Sequence, residues 1–588
     1  MIQNAWQNAD TNIQYRILNA LIKESIWPEQ TIITTQNHQL TIQYHGCILS
    51  THFKRKSMMS RYDFEGPITY QCGNENKTIT AVEKLLSALK HHFDIDIQQQ
   101  QQQLINEIIH SRDSFVEIYK QFDQRQHNVQ SSMQFSCMPT TLNFFAWLQH
   151  LSDSNEINDL LYSESLVLEG HPTHPLTKTK LPLTMDEVKM YSPEFEKVIP
   201  LKIMLLQKDC AQATSIDGTE DFILREVIPE YQLRLRKYAQ SIQISLEDYY
   251  VILVHPWQYN HTIYDKFSNW IAHKLLVTTP FEVDSKATLS FRTMSLINKP
   301  YHVKLPVNVQ ATSAVRTVSS VTTVDGPKLS KSLHNVLNQY SQLNVAIEPY
   351  GLCAKTNDDD ARQLACIIRE KPYIANNGVT IVTGALVNPN PIDQHITVDS
   401  YIEWVNGEVN KSGIITFMEN YSRQLITPLL NLIQDYGIAL EAHMQNTIVN
   451  LGPNFQMNFI VRDLGGSRID LNTLTHKMNN IQITNQSLLA QTIEEVIAKF
   501  QHAVIQNQLA ELIHHFSKKE NITEAELFNI VRKEVEVAIN DHKPHAQALR
   551  DVLFGPTITV KALLRMRMTN RVKKYLNIEL ENPIRKEV

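Results

Sequence analysis

Apolar positions recur at helical spacing at the start of the chain. TNIQYRILNALIKESI (11–26) sets Ile13, Ile17, Leu21 and Ile26 along one stripe, with Leu18 and Ile22 on the adjoining rows. This predicts an amphipathic opening helix. From 31 to 71 the pattern tightens to alternation, as in QLTIQYHGCILS, and predicts the strands of a small sheet. Helical spacing returns across 79–125, interrupted by the low-complexity run Gln98–Gln103, which reads as a loop or a helix surface. Strand-like and helical segments mix from 165 to about 370, and in YYVILVHPWQ an apolar run from Tyr249 to Val254 stops at His255-Pro256. The stretch 370–391, EKPYIANNGVTIVTGALVNPNP, concentrates Pro, Gly and Asn and reads as a connection. Beyond it the pattern predicts a helix around 416–438, a hairpin across 439–463, helices at about 485–517 and 524–541, and a basic helix near 558–576. No internal repeat is visible. These elements define an α+β multidomain chain with units at 1–150, 151–372 and 373–588.

Composition narrows the function classes. A chain of 588 residues exceeds one hydrophobic core. With 43% hydrophobic and 20% charged residues it has the make-up of an ordinary soluble protein. No run approaches the roughly 20 apolar residues of a membrane helix, and MIQNAWQNAD lacks the layout of a secretion signal. The expectation is a cytoplasmic protein with no membrane partner. A formal net charge of −6 argues against nucleic acid. The six cysteines, Cys47, Cys72, Cys137, Cys210, Cys353 and Cys366, contain no CxxC pair, so neither a zinc site nor a disulfide framework is expected. Neither GxGxxG nor GxxxxGK[ST] occurs, so side chains must hold the phosphates of any bound nucleotide.

Three segments carry candidate chemistry. In EGHPTHPLTKTK (169–180) the prolines exclude both a helix and a central strand, so His171 and His174 lie on an extended or turn-like path. His174, with Lys178 and Lys180, could belong to an anion site, where nearby cations would depress the imidazole pKa. In 287–320, Arg292, Lys304 and Arg316 are each twelve residues apart. If the chain folds back around Asn298 and again around Gln310, Arg292 lies opposite Lys304 and Lys304 opposite Arg316, with Ser290 and His302 on the same face. Taken singly, each cation is an ordinary surface residue. Three in register in otherwise apolar strands repel one another unless something negative is bound, and a polyphosphate fits. In GIALEAHMQNTIVNLGPNFQMNFIVRDLGG (437–466), Glu441, His443 and Gln445 alternate with apolar residues as in a strand, and a turn at LGPN brings Asp463 opposite Glu441. Two carboxylates with the amide of Asn446 are hard oxygen ligands suited to Mg²⁺ shared with phosphates; the plainer alternative pairs Asp463 with Arg462 or Arg468.

GHPTHPLTKTK, VHPWQ, SFRT, the later KLP and AVRT, EAHMQN and RDLGG together resemble, in order and approximate spacing, the aerobactin synthetase-like (IucA/IucC) family of siderophore synthetases. These enzymes are independent of nonribosomal peptide synthetases. The resemblance covers about 165–575. It implies a cupped-hand architecture with thumb, fingers and palm, the three units named above, and the Mg²⁺ hairpin in the palm. It also implies an enzyme that uses ATP to adenylate a carboxylate of citrate or a citrate derivative, releases pyrophosphate, and forms an amide with an amine. On this resemblance Ser290, Arg292, Thr293 and Lys304 are ATP phosphate contacts, and His174 helps at the α-phosphate and the developing oxyanion. Arg316, His443 and Gln445 contact carboxylate or phosphate, with His443 a candidate for assisting proton removal. Glu441, Asn446 and Asp463 form the Mg²⁺ group. The basic tail, with Lys561, Arg565 and Arg567, offers either substrate contacts or a solvated face. Products of the staphyloferrin type and a homodimer are further implications. Lys180 departs from the arginine many relatives carry. The residues themselves leave open an ATP phosphotransferase and a non-catalytic binder of a polyanion.

Overall fold

The helix Ile2–Lys23 realises the opening stripe, with Ile13, Ile17, Leu18 and Leu21 fully buried. It shares one core with an antiparallel sheet of five consecutive strands across 32–79 and with the helices Val82–His92 and Leu104–Phe135. The computed structural model of the chain describes residues 2–97, 103–135, 142–312, 314–340, 342–373, 378–478, 483–569 and 576–585. Gln98–Gln102 of the glutamine run lie outside them.

A second core belongs to an antiparallel sheet of eight strands. Their order is Ala211–Ser215, Tyr350–Ala354, Ala365–Glu370, Tyr301–Lys304, Thr293–Leu296, Leu276–Ala287, Ile199–Gln207 and Tyr249–Val254. The apolar run 249–254 is therefore an edge strand, and His255 ends it by accepting the Trp257 N–H on its side chain. The third and largest core runs from Ile118 to Ile584. It surrounds a four-stranded sheet of Leu343–Val345, Met457–Val461, Thr447–Leu451 and Val379–Val382, and the long helix Lys411–Tyr436 packs against it. Among the described residues no helix is long and apolar enough to cross a membrane.

Several sequence expectations need correction. Within 370–391 the chain forms the strand Val379–Val382, because Val379, Ile381 and Val382 are fully covered and Thr380 is buried with them; 374–377 lie outside the described residues. The basic segment at 558–576 is a strand, Thr557–Lys561, followed by a short helix, Leu563–Met568, with 570–575 outside the described residues. Val560 is covered while its neighbour Thr559 is exposed, a period-two pattern that favours the strand. Cys47 and Cys72 are joined as a disulfide, although no disulfide was expected from their spacing.

The expected fold-back of the cations is also corrected. Thr293 pairs with Lys304, one position off the predicted register, so Arg292 precedes the strand in a turn. After Lys304 the chain leaves this sheet at Leu305-Pro306. The next strand, Val307–Ala311, pairs with Ala314–Arg316 and Lys180–Leu181 in a separate sheet, so Lys304 does not face Arg316 across a ladder. The hairpin of the third segment pairs Thr447 with Val461, and Glu441, His443 and Gln445 lie in the loop before it instead of in a strand.

Candidate active site

The corrected registers still deliver most of the predicted residues to one place. A cavity of about 300 Å³ is lined on one side by Ser290, Arg292, Lys304 and Arg316, and on the other by Glu441, His443, Gln445, Asn446 and Asp463. Ser290 and Arg292 come from the turn before a strand, Lys304 from the end of the next, and Arg316 from a short strand leading into the helix Ser320–Leu337. Thr317, Ser319 and Thr322 of that connection complete the wall. The opposite side is the loop before one hairpin strand and the loop after the other. Residues 292 and 463 share the cavity because Lys304, at a strand end of the eight-stranded sheet, reaches Asp463, which follows the hairpin strand Met457–Val461.

Asp463 is the electrostatic centre. Lys304 Nζ donates to its carboxylate at 2.5 Å, and the Arg369 guanidinium stands 4.0 Å away. Burial alone would raise this carboxyl, but Lys304, Arg369 and Arg292 outweigh it and hold it well below the usual carboxylate range. Arg369 is fixed by a buried pair with Glu348 at 2.7 Å. Asp463 adopts a left-handed backbone, φ 67° and ψ 71°, an uncommon conformation for a non-glycine residue and one that concentrates at functional sites. Its neighbour Arg462 turns away and is buried against Glu164 at 2.7 Å, which excludes the alternative of an Arg462–Asp463 pair.

Glu441 is paired with Lys499 of the helix Ile493–Phe500. Its carboxylate passes directly over Gly466, where a Cβ would come within 1.8 Å of the carboxylate oxygen; the second glycine of RDLGG exists to admit that side chain. His443 accepts the Gln445 N–H on Nδ1 at 3.2 Å, which places the proton of the neutral ring on Nε2. Burial lowers its pKa, with the Glu441 charge opposing. The Arg292 guanidinium donates to the Thr317 carbonyl, and its buried Nε makes no hydrogen bond among the described residues. Burial draws Arg292 down to about 10, Asp463 opposing and Arg316 and Arg369 adding to the fall. Arg316 donates to Thr312 Oγ1 at 2.7 Å.

Two expected site residues do not line the cavity. Thr293 is buried and donates its backbone N–H to Ser290 at 2.5 Å, shaping the turn. His174 is buried in the 169–180 loop, its ring 6.1 Å from that of His171 and its Nδ1 accepting the Leu176 N–H. Its pKa falls to about 3, chiefly through burial and only secondarily through the cations Arg16 and Arg567. Lys178 does not extend an anion site, because it is buried on Glu194 at 2.6 Å. His302 is buried away from the cavity. Arg567 is committed to the buried Glu107, while Lys561 lies within electrostatic reach of Glu441. Sequence reasoning missed Lys499, a single lysine on an amphipathic helix with no distinguishing signal. It also missed Arg369, which did have one, as a charge inside the apolar strand ACIIRE.

The profile of the IucA / IucC family matches residues 159–388, and that of the ferric iron reductase FhuF-like transporter matches 416–576. The staphyloferrin A synthase of Staphylococcus aureus is 60% identical over 588 residues, covering 100% of both chains. The D-ornithine–citrate ligase of the same organism is 27% identical over 79% of this chain and 77% of its own. Among solved structures, the petrobactin biosynthesis protein AsbB of Bacillus anthracis superposes with a TM-score of 0.80 at 19% identity, covering 99% of this chain and 96% of the other. ATP-bound aerobactin synthetase IucA of Klebsiella pneumoniae gives 0.74 at 18% identity, covering 98% and 100%. The chain belongs to the IucA/IucC family of siderophore synthetases. Within that family it is similar from end to end to the staphyloferrin A synthase.

Proposed function

We propose that this protein is an ATP-dependent ligase of siderophore synthesis that joins a carboxylate of citrate, or of a citrate derivative, to an amine, and that its product is of the staphyloferrin A type. The observation that carries the chemistry is the cavity itself, where buried cations and two carboxylates converge. The 60% identity over the full chain carries the product class. ATP enters with its phosphates against Ser290, Arg292 and Lys304, and Arg292 Nε supplies a donor that no group among the described residues uses. The substrate carboxylate attacks the α-phosphorus. The cations stabilise the charge that moves onto the departing pyrophosphate, so their contribution is positioning and electrostatic preorganisation. The amine then displaces AMP from the acyl-adenylate. His443, neutral and with Nε2 protonated, is placed to donate to a carboxylate or phosphate oxygen in the cavity.

Glu441, Asp463 and Asn446 fit a Mg²⁺ ion, since all three line the cavity and carry oxygen donors, and Gly466 admits the Glu441 carboxylate. When bound, the ion would supply further charge neutralisation at the phosphates.

The test is ATP consumption with hydroxylamine as a surrogate nucleophile, measuring pyrophosphate, phosphate and hydroxamate across citrate, citrate monoamides, 2-oxoglutarate and succinate. Citrate-dependent or citrate-monoamide-dependent pyrophosphate and hydroxamate are expected. ADP and phosphate without pyrophosphate would indicate a phosphotransferase and overturn the proposal.

A further inference from the structure

Cys47 and Cys72 are 25 residues apart in sequence and directly opposite each other in the amino-terminal sheet. Each closes a two-residue hairpin on its other side. Tyr44 pairs with Cys47 across His45-Gly46, and Cys72 pairs with Glu75 across Gly73-Asn74. Their Cα atoms are 4.3 Å apart, the close spacing of a pair without mutual backbone hydrogen bonds, whose side chains approach most nearly. His92, in the last turn of the helix Val82–His92, brings a ring nitrogen to the same point. The two sulfurs and that nitrogen all lie within 4.8 Å of one another. Tyr70 stacks on the imidazole with centroids 5.2 Å apart and fixes the plane of the ring.

We propose that in its dithiol form the Cys47–Cys72–His92 cluster is a binding site for a thiophilic d¹⁰ cation of the zinc type. Two thiolates and one imidazole are the donor types such an ion selects over the oxygen ligands of Mg²⁺. Bond lengths of about 2.0–2.3 Å place donors on a tetrahedral zinc about 3.3–3.8 Å apart, so side-chain rotations of about 1 Å close the site. Cys47 is buried, whereas Cys72 and His92 are half-buried, so the ion reaches the site from solvent and keeps an open fourth position.

Disulfide and metal exclude each other here, because the bond consumes the sulfurs that would ligate. Reaching the dithiol form requires an external two-electron reductant, a thiol pair or a phosphine. Two reductant thiols deliver two electrons and two protons to the Cys47–Cys72 bond and leave as their own disulfide. Metal binding then releases the cysteine protons. The cluster lies in the amino-terminal core, none of whose residues lines the catalytic cavity. Its occupancy therefore acts on the stability of that unit and on the docking of Val82–His92 against the sheet.

The experiment titrates full-length protein, reduced with a phosphine and desalted without oxygen, first with Co²⁺ and then with Zn²⁺. A sulfur-to-cobalt charge-transfer absorption saturating at one ion per chain and displaced by Zn²⁺ is expected. It should be absent from oxidised protein and from Cys72→Ser, and His92→Ala should weaken it at least tenfold. Cobalt held by the Asp393, His395 and Glu403 group, of which only His395 is exposed, gives no such absorption, which separates that source. Cys72→Ser, at a half-buried position, is checked for folding by its thermal transition and its ATP-dependent turnover. No charge-transfer absorption in the reduced parent protein would overturn the proposal, as would an absorption that survives in folded Cys72→Ser.

Discussion

Arg462 and Asp463 are consecutive residues with opposite destinations. The guanidinium is buried on Glu164 at 2.7 Å, while the carboxylate reaches Lys304 at 2.5 Å in the cavity. The left-handed backbone at Asp463 makes this divergence possible. One of the two is an anchor between elements, and the other lines the cavity.

The Arg462–Glu164 anchor ties the end of the four-stranded sheet to the helix Asp159–Glu164, and Glu164 also accepts the Leu289 N–H beside the phosphate-side turn. Glu164→Ala should lower the unfolding free energy by about 3–5 kcal/mol, because it strands a buried guanidinium. Replacing the pair together by Met and Leu should cost much less. Denaturant midpoints of the single and double variants check this.

Asp463→Asn should act differently, with the fold nearly unchanged. Lys304 loses its counter-charge while Arg369 keeps Glu348, so metal-free ATP should bind more tightly, while pyrophosphate release falls by about 10²–10³ through loss of a carboxylate proposed to hold the metal. Calorimetry with and without Mg²⁺, alongside steady-state pyrophosphate release, measures both directions.

Gly466→Ala inserts a methyl group where the Glu441 carboxylate already lies. Displacing that carboxylate should reduce turnover by at least about 10²-fold, at a stability cost of about 1–3 kcal/mol. An increased Mg²⁺ requirement would accompany it; unchanged kinetics would show that Glu441 has no role.

Acid sensitivity follows from buried histidines. His174 and His255 are held down to about 3 and His502 to about 4, with burial the leading cause in each. The unfolded chain takes up protons near 6.5 that the fold refuses, so stability falls as pH drops through 6.5 and continues to fall until the folded values are reached. Each histidine contributes a loss on the order of 2 kcal/mol at pH 5. His255→Asn keeps an acceptor for the Trp257 N–H, and it should flatten the pH dependence of the urea midpoint between pH 7.5 and 5.

The site was legible in the sequence wherever polar residues interrupt apolar runs. Ser290, Arg292, Lys304, Arg316, Glu441 and Asp463 all stood out this way, and all line the cavity. Their pairing was not legible, because local spacing carries no information about which sheet receives the next strand. Pro306 follows Lys304 and the chain leaves for a different sheet, so the residues converge through packing between sheets and not through a ladder. Lys499 and the Cys47–Cys72 contact were hidden for the same reason. Each is defined by a partner far away in the chain.

The pairing of Lys304 with Asp463 and of Lys499 with Glu441 balances cations against carboxylates within the cavity itself. On the proposed function, nucleotide and divalent cation would each break pairs that the other helps to replace, which would link their binding thermodynamically. Mg²⁺ should raise affinity for ATP, and ATP should raise affinity for Mg²⁺ by the same factor. On that reading the reactants would arrive as a neutralising pair, and an isolated polyanion lacking a cation would be discriminated against before any chemistry begins.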